Sequence, residues 1–148
     1  MKKKFIDYYM AIAEITAKLS YARRLQVGAV IVRENQILAT GYNGMPAGWD
    51  NNCEYAETLT NESGVDQLKT RPEVLHAESN ALMKVAKSTE SSEGATLFCT
   101  HAPCIECAKL IYQSGIKNLY YRDQYKNTDG LEFLKQGGVD AQRYRISN

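Results

Sequence analysis

No run of this 148-residue chain approaches the roughly 20 consecutive apolar residues that a helix needs to cross a bilayer. Charge of one sign is not in excess either: 18 Lys and Arg stand against 17 Asp and Glu, a net charge of +1. Nucleic-acid binders usually carry a basic stripe. The only basic run here, Lys2-Lys3-Lys4, reads as a solvated tail, so neither a nucleic acid nor a membrane is expected as partner. No signal peptide is expected, because Asp7 and Glu14 interrupt the stretch after those lysines and no small-residue cleavage site appears. Internal repeats and low-complexity segments are also missing. Cysteine is scarce, with four residues, and in a chain expected to be cytoplasmic it points to metal ligands or free thiols before disulfides.

What remains is an ordinary globular composition, 44% apolar and 24% charged, in a length that suits a single domain over 1–148. Residues 5–19 place Ile6, Tyr9, Met10, Ala13 and Ala17 at helical spacing. The β-branched run 27–32 and the run 37–40 read as strands joined by a hairpin turn at Arg33-Glu34-Asn35-Gln36. The Gly-, Asn- and Pro-rich stretch 41–48 ends regular structure, and the polar stretch 49–73 reads as a functional loop or a short helix. Helix then alternates with strand: a helix after His76, a strand at 95–100, a helix at 104–113, a strand at 118–121, a helix at 131–136 and a last strand at 141–146. The order predicts an α/β fold, a three-layer α/β/α sandwich around a mixed five-stranded sheet whose last three strands are parallel.

Two short motifs carry the chemistry: His76-Ala77-Glu78 and, further along, Pro103-Cys104-Ile105-Glu106-Cys107. Imidazole and thiolate suit Zn²⁺, and catalytic zinc sites use three protein ligands with the fourth position left to water. His76, Cys104 and Cys107 supply the three ligands, and Glu78 is a carboxylate free to move protons. Residues two apart on a helix point to nearly opposite sides, so His76 and Glu78 share a site only if His76 stands at the helix entry. Cys104 and Cys107, three apart, lie on one face of a first turn. The ion then rests between two helix N-termini, which stabilise negative charge and depress thiol pKa values. H-x-E with P-C-x-x-C is the pattern of zinc nucleobase deaminases, in which water attacks an amidine-like ring carbon and the glutamate serves as base and then acid. Cys99 reads as core, and Cys53 has no evident task.

The chain resembles the cytidine and deoxycytidylate deaminase superfamily, and within it the deoxycytidylate (dCMP) deaminases. The resemblance rests on Gln26-Val27-Gly28-Ala29-Val30, Gly41-Tyr42-Asn43-Gly44-Met45-Pro46-Ala47-Gly48, His76-Ala77-Glu78-Ser79-Asn80-Ala81 and Pro103-Cys104-Ile105-Glu106-Cys107-Ala108-Lys109. Free-nucleoside cytidine deaminases usually have Cys where this chain has His76, and tRNA adenosine deaminases differ around the hairpin. The resemblance implies hydrolysis of dCMP to dUMP and ammonia, feeding thymidylate synthesis, in a homo-oligomer, often a hexamer. It also implies activation by dCTP and inhibition by dTTP with Mg²⁺.

Among individual residues, the resemblance puts Asn43 on the substrate sugar, Arg24 on the 5′-phosphate with Arg23 as the alternative, Ala77 in the substrate site and Tyr125 over the substrate. Gly44, Met45, Asn51 and Asn52 are its allosteric candidates. Two features depart from it. Ala102 stands where many relatives place Phe, and Cys53 and His101 are candidates for a second metal, although His101 fits better as lining of the substrate pocket. Competing readings are a zinc deaminase of another nucleotide or of a nucleic-acid base, and a non-catalytic zinc-stabilised binding module. Neutral net charge and a phosphate arginine favour a mononucleotide.

Overall fold

Alternate residues of one strand face two different cores, and this sets the architecture. Ala29 and Ile31 are buried with one set of helices, whereas Val30 and Val32 are buried against another. A strand that is apolar on both faces needs cover on both sides. The structure, a computed structural model, describes residues 1–58 and 66–147.

The elements in chain order are α1 (Lys3–Ala17), β1 (Gly28–Arg33), β2 (Gln36–Tyr42), β3 (Glu54–Thr58), β4 (Asp66–Thr70), α2 (Ala77–Ala86), β5 (Thr96–His101), α3 (Ile105–Gln113), β6 (Asn118–Asp123), α4 (Asp129–Gln136) and β7 (Asp140–Arg143). The main sheet runs β2-β1-β5-β6-β7. As expected, β5, β6 and β7 are parallel, each joined to the next through a helix, while β1 is antiparallel to both β2 and β5. The β1–β2 turn places Glu34 and Asn35 at φ 52° and 58°, both positive as a tight two-residue hairpin requires.

Helix α1 covers one face, its Ile6, Tyr9, Met10 and Ala13 packing on Val30, Val32 and Phe98. Helices α2, α3 and α4 cover the other, bringing Ala81, Leu82, Ile111 and Leu134 onto Ile31, Leu97 and Leu119. The result is the expected three-layer sandwich. It places the starts of α2 and α3 beside each other at one end of the sheet.

Two expectations need correction. The stretch 49–73 is neither a plain loop nor a helix: β3 and β4 form a separate antiparallel two-stranded sheet, with residues 59–65 lying outside the described part. The sequences EYAET and DQLKT are too polar to show a strand period, because this hairpin sits mostly at the surface. Regular structure also does not end at residue 41. Strand β2 runs on through Gly41 and Tyr42, and Gly44 then pairs with Leu75 in an isolated bridge.

Gly41 is glycine because α2 lies against it. A Cβ there would run into the Ala77 carbonyl oxygen and sit 2.6 Å from the Ala81 nitrogen, both of them backbone. Gly41→Ala should therefore lower stability by roughly 1–3 kcal/mol, the usual cost of overpacking. At Gly44 an added Cβ would have no neighbour within 4 Å, so Gly44→Ala should leave the melting temperature nearly unchanged. Scanning calorimetry of the two variants checks the contrast.

Candidate active site

His76 and Cys104 occupy the same structural position on two different helices. Each is an N-cap with extended backbone, His76 at φ −79°, ψ 154° and Cys104 at φ −69°, ψ 169°. An N-cap side chain normally turns back to bond the helix's own N–H groups. Neither does so here, which leaves both free to meet across the gap. Cys107, in the first turn of α3, completes the group.

His76 Nδ1 lies 3.3 Å from Cys107 Sγ and 3.5 Å from Cys104 Sγ, and the three ligand atoms fall within 4.8 Å of one another. Tetrahedral zinc at ordinary bond lengths spaces nitrogen and sulfur ligands about 3.6 Å apart. The donor set and its spacing fit zinc. Among the described residues no other group of three His, Cys, Asp or Glu side chains comes together in this way.

The site's electrostatics follow from the same contacts. The Cys104 thiol is pulled down to about 3, first by the hydrogen bond from Cys107 and then by that from His76. Cys107 is pushed up, because it is the donor to that sulfur and is buried as well. Its bond to Cys104 raises His76. Glu78, in the first turn of α2, is 4% exposed, and burial pushes its carboxyl above the usual carboxylate range. Its Oε1 accepts from the buried Cys99, with Sγ at 3.4 Å. Cys99 is thus core, as expected, but core in contact with the carboxylate.

These groups open into a cavity of about 540 Å³. His76, Ala77, Glu78 and Cys104 form one part of its wall, and Arg24, Asn43 and Tyr125 line it as well. The Asn43 amide is tied to the chain before β1: Oδ1 accepts from Val27 N–H at 2.8 Å, and Nδ2 donates to the Leu25 carbonyl at 2.8 Å. Arg24 Nη1 donates to Thr70 Oγ1 at 3.0 Å and has no acidic partner among the described residues. The alternative, Arg23, does not line the cavity; it is paired with Glu54 and Asn52.

Gly44, Met45, Asn51 and Asn52 lie outside the cavity wall. Cys53, His101 and Ala102 are part of it, but Cys53 and His101 join no metal-type cluster among the described residues. His101 Nε2 is 3.7 Å from Asp123 Oδ2, a carboxylate also held by Arg122 and Arg145.

Glu54, Thr70, Asp123 and Lys126 are among the wall residues that sequence reasoning missed. Glu54 is 1% exposed, and its Oε1 accepts from the Arg23 and Arg24 backbone N–H groups at 2.8 and 3.1 Å. An acid in a polar, aperiodic stretch carries no mark of burial, so nothing in the sequence distinguished it.

Burial works to raise the Glu54 carboxyl, but its N–H bonds and the Arg23 guanidinium outweigh that and hold it below the usual carboxylate range. A depressed native pKa adds stability that is complete above the unfolded value. The contribution fades as pH falls toward the native value and is gone below it. The stability gap between wild type and Glu54→Gln in urea titrations should therefore be constant at neutral pH and shrink under acid. Metal content tests the ligand assignment. Cys104→Ser should lose zinc in elemental analysis, whereas Glu78→Gln, which alters no ligand, should retain it.

Comparison with known proteins agrees with this geometry. Residues 3–123 match the cytidine and deoxycytidylate deaminase zinc-binding region. The dCMP deaminase of the cyanophage S-TIM5, solved in complex with dCMP and dUMP, is 46% identical, with 97% of this chain and 99% of that one covered at a TM-score of 0.87. ComE operon protein 2 of Bacillus subtilis is 37% identical over 141 residues, which is 95% of this chain and 71% of the relative. The deoxycytidylate deaminase of Saccharomyces cerevisiae is 32% identical over 148 residues, 99% of this chain, which spans about half (47%) of that relative's length. The matched region contains the three candidate metal ligands and the buried carboxylate, and this chain belongs to the cytidine and deoxycytidylate deaminase family.

Proposed function

We propose that this protein hydrolyses dCMP to dUMP and ammonia. One observation carries the reading: a His-Cys-Cys group of zinc geometry and a buried, non-ligating Glu78 share a cavity with Arg24. The likeness to a deaminase crystallised with dCMP and dUMP supports it. The volume, about 540 Å³, is in the range of small-molecule sites.

His76, Cys104 and Cys107 would hold zinc, which supplies a Lewis acid able to lower the pKa of a water to about 7. Glu78 does the proton work. Its carboxylate takes a proton from the attacking water and passes it to N3 of the cytosine ring, then takes the proton of the new C4 hydroxyl and gives it to the amino group as the C4–N bond breaks. The C4–N bond is replaced by C4=O, and ammonia leaves. Burial suits the carboxyl to hold a proton between these steps, since it favours the neutral form. Arg24 binds the 5′-phosphate, for which a fixed guanidinium charge is apt. Asn43 contacts the sugar, Ala77 the base, and Tyr125 closes over the bound nucleotide.

The finer reading is regulation. dCTP activates and dTTP inhibits, each with Mg²⁺, in a cytoplasmic homo-oligomer, a hexamer. Gly44, Met45, Asn51 and Asn52 form the effector site. In support, the Gly44–Leu75 bridge ties the proposed effector turn to the residue just before His76. Asn52 likewise bonds Arg23, the neighbour of Arg24.

Side-by-side ammonia assays on dCMP, dCTP, cytidine and single-stranded DNA should show turnover of dCMP, altered in opposite directions by dCTP and dTTP. Arg24→Met should raise KM for dCMP about tenfold or more, and Glu78→Gln should cut kcat at least about 100-fold. Turnover of the polymer without dCMP would refute the reading.

A further inference from the structure

The cavity wall contains a carboxylate that the proposed reaction does not use. Glu54 is 1% exposed, its acid group is held ionised, and it lines the cavity that Arg24 also lines. A negative charge there opposes the binding of an anionic substrate, so its presence calls for a physical reason.

The surrounding contacts give one. Glu54 opens β3 and is paired with Thr70 at the end of β4, and directly opposed residues of an antiparallel pair put their side chains on the same face. The two side chains grip successive arginines. Glu54 Oε1 accepts the backbone N–H groups of both Arg23 and Arg24, while Oε2 takes the Arg23 guanidinium at 3.4 Å. Asn52 Oδ1 accepts from Arg23 Nη2 at 3.0 Å, so the guanidinium is held from two sides. Thr70, a neutral hydroxyl, takes Arg24 Nη1. Of two adjacent cations, one is cancelled against a buried acid and kept out of the cavity wall, and the other is left with its charge. Arg23, Arg24 and Glu54 together carry one net positive charge, and it stands at Arg24.

We infer that Glu54 sets the phosphate number of the substrate: by cancelling Arg23 it leaves Arg24 as the one uncancelled member of the arginine pair, which suits a nucleoside monophosphate and disfavours a diphosphate. This rests on the dCMP reading and adds to it a specificity-determining residue that acts against the wrong ligand. Arg24 can pair with one phosphate. A second phosphate would find Arg23 already occupied by Glu54 and Asn52.

The test is competitive inhibition of dCMP turnover by dUMP and by dUDP, on zinc-loaded protein, with the ratio of the two inhibition constants as readout. Wild type should favour dUMP. Glu54→Gln leaves the Arg23 charge uncancelled, so the preference should fall about tenfold, mainly through tighter dUDP binding. Adding Arg23→Met to that variant should restore most of the preference. Arg23→Met alone leaves the carboxylate uncancelled and should shift the ratio the other way, toward stronger rejection of dUDP. Its side chain is 59% exposed, so this variant remains informative if Glu54→Gln does not fold.

A merely structural Glu54 would weaken both inhibitors equally. That result, or a ratio unmoved in both single variants, overturns the inference while dCMP turnover stands. Wild-type protein that does not deaminate dCMP overturns the dCMP reading and this role together.

Discussion

Two helices must begin within zinc-bonding distance of each other, and much of the fold serves that requirement. His76 and Cys104 act at N-cap positions, where the backbone is still extended and the side chain projects ahead of the first turn. A shift of either helix by part of a turn would separate Nδ1 from the sulfurs. Each helix start is accordingly pinned by backbone contact. Gly41 of β2 lets the first turn of α2 come close and Asn80 Nδ2 donates to the Tyr42 carbonyl at 2.8 Å, while in the last turn Lys84 Nζ donates to the Thr40 carbonyl at 2.6 Å. On the other side Gly130 of α4 packs on the chain entering α3, where a Cβ would lie 2.9 Å from the Cys104 carbonyl carbon. The two convergent helix N-termini also favour the thiolates that a divalent ion requires.

Such a site is readable from sequence because its parts are local. A His two residues before a Glu, and two Cys three apart after a Pro, fix helix entries and faces without any knowledge of the fold. The β-branched runs and the alternation of helix and strand likewise sufficed for the sheet, since β1 and β5 are buried on both faces and read as short, mostly apolar runs. The β3–β4 hairpin was illegible for the opposite reason. Its strands are polar and bury little, so neither hydrophobicity nor period marks them. Glu54 was lost with it: burial of that carboxylate depends on two arginines about 30 positions earlier in the chain, a pairing that no local pattern encodes. The choice between Arg23 and Arg24 was open in the sequence for the same reason, and the hairpin's contacts separate them.

The charges around the cavity also bear on how a nucleotide would lie in it. Cys104 as a thiolate puts negative charge at the metal-binding group, and two thiolates would neutralise a divalent ion held there. That group then has no surplus of positive charge to attract a phosphate. Arg24 and Lys126 are the cationic side chains of the wall, and Arg24 belongs to the segment before β1 and is braced by Thr70. On the proposed reading, an anionic tail is drawn to Arg24 and a neutral base is left for Glu78, so orientation follows from where charge is absent as much as from where it is present. Glu54 sharpens the same arrangement, because it cancels the Arg23 guanidinium next to Arg24. The chain's overall charge of +1 conceals all of this. What matters for selection is how a few charges are cancelled or left uncancelled along one wall, and that partition is made by tertiary contacts between the hairpin and the Arg23–Arg24 pair.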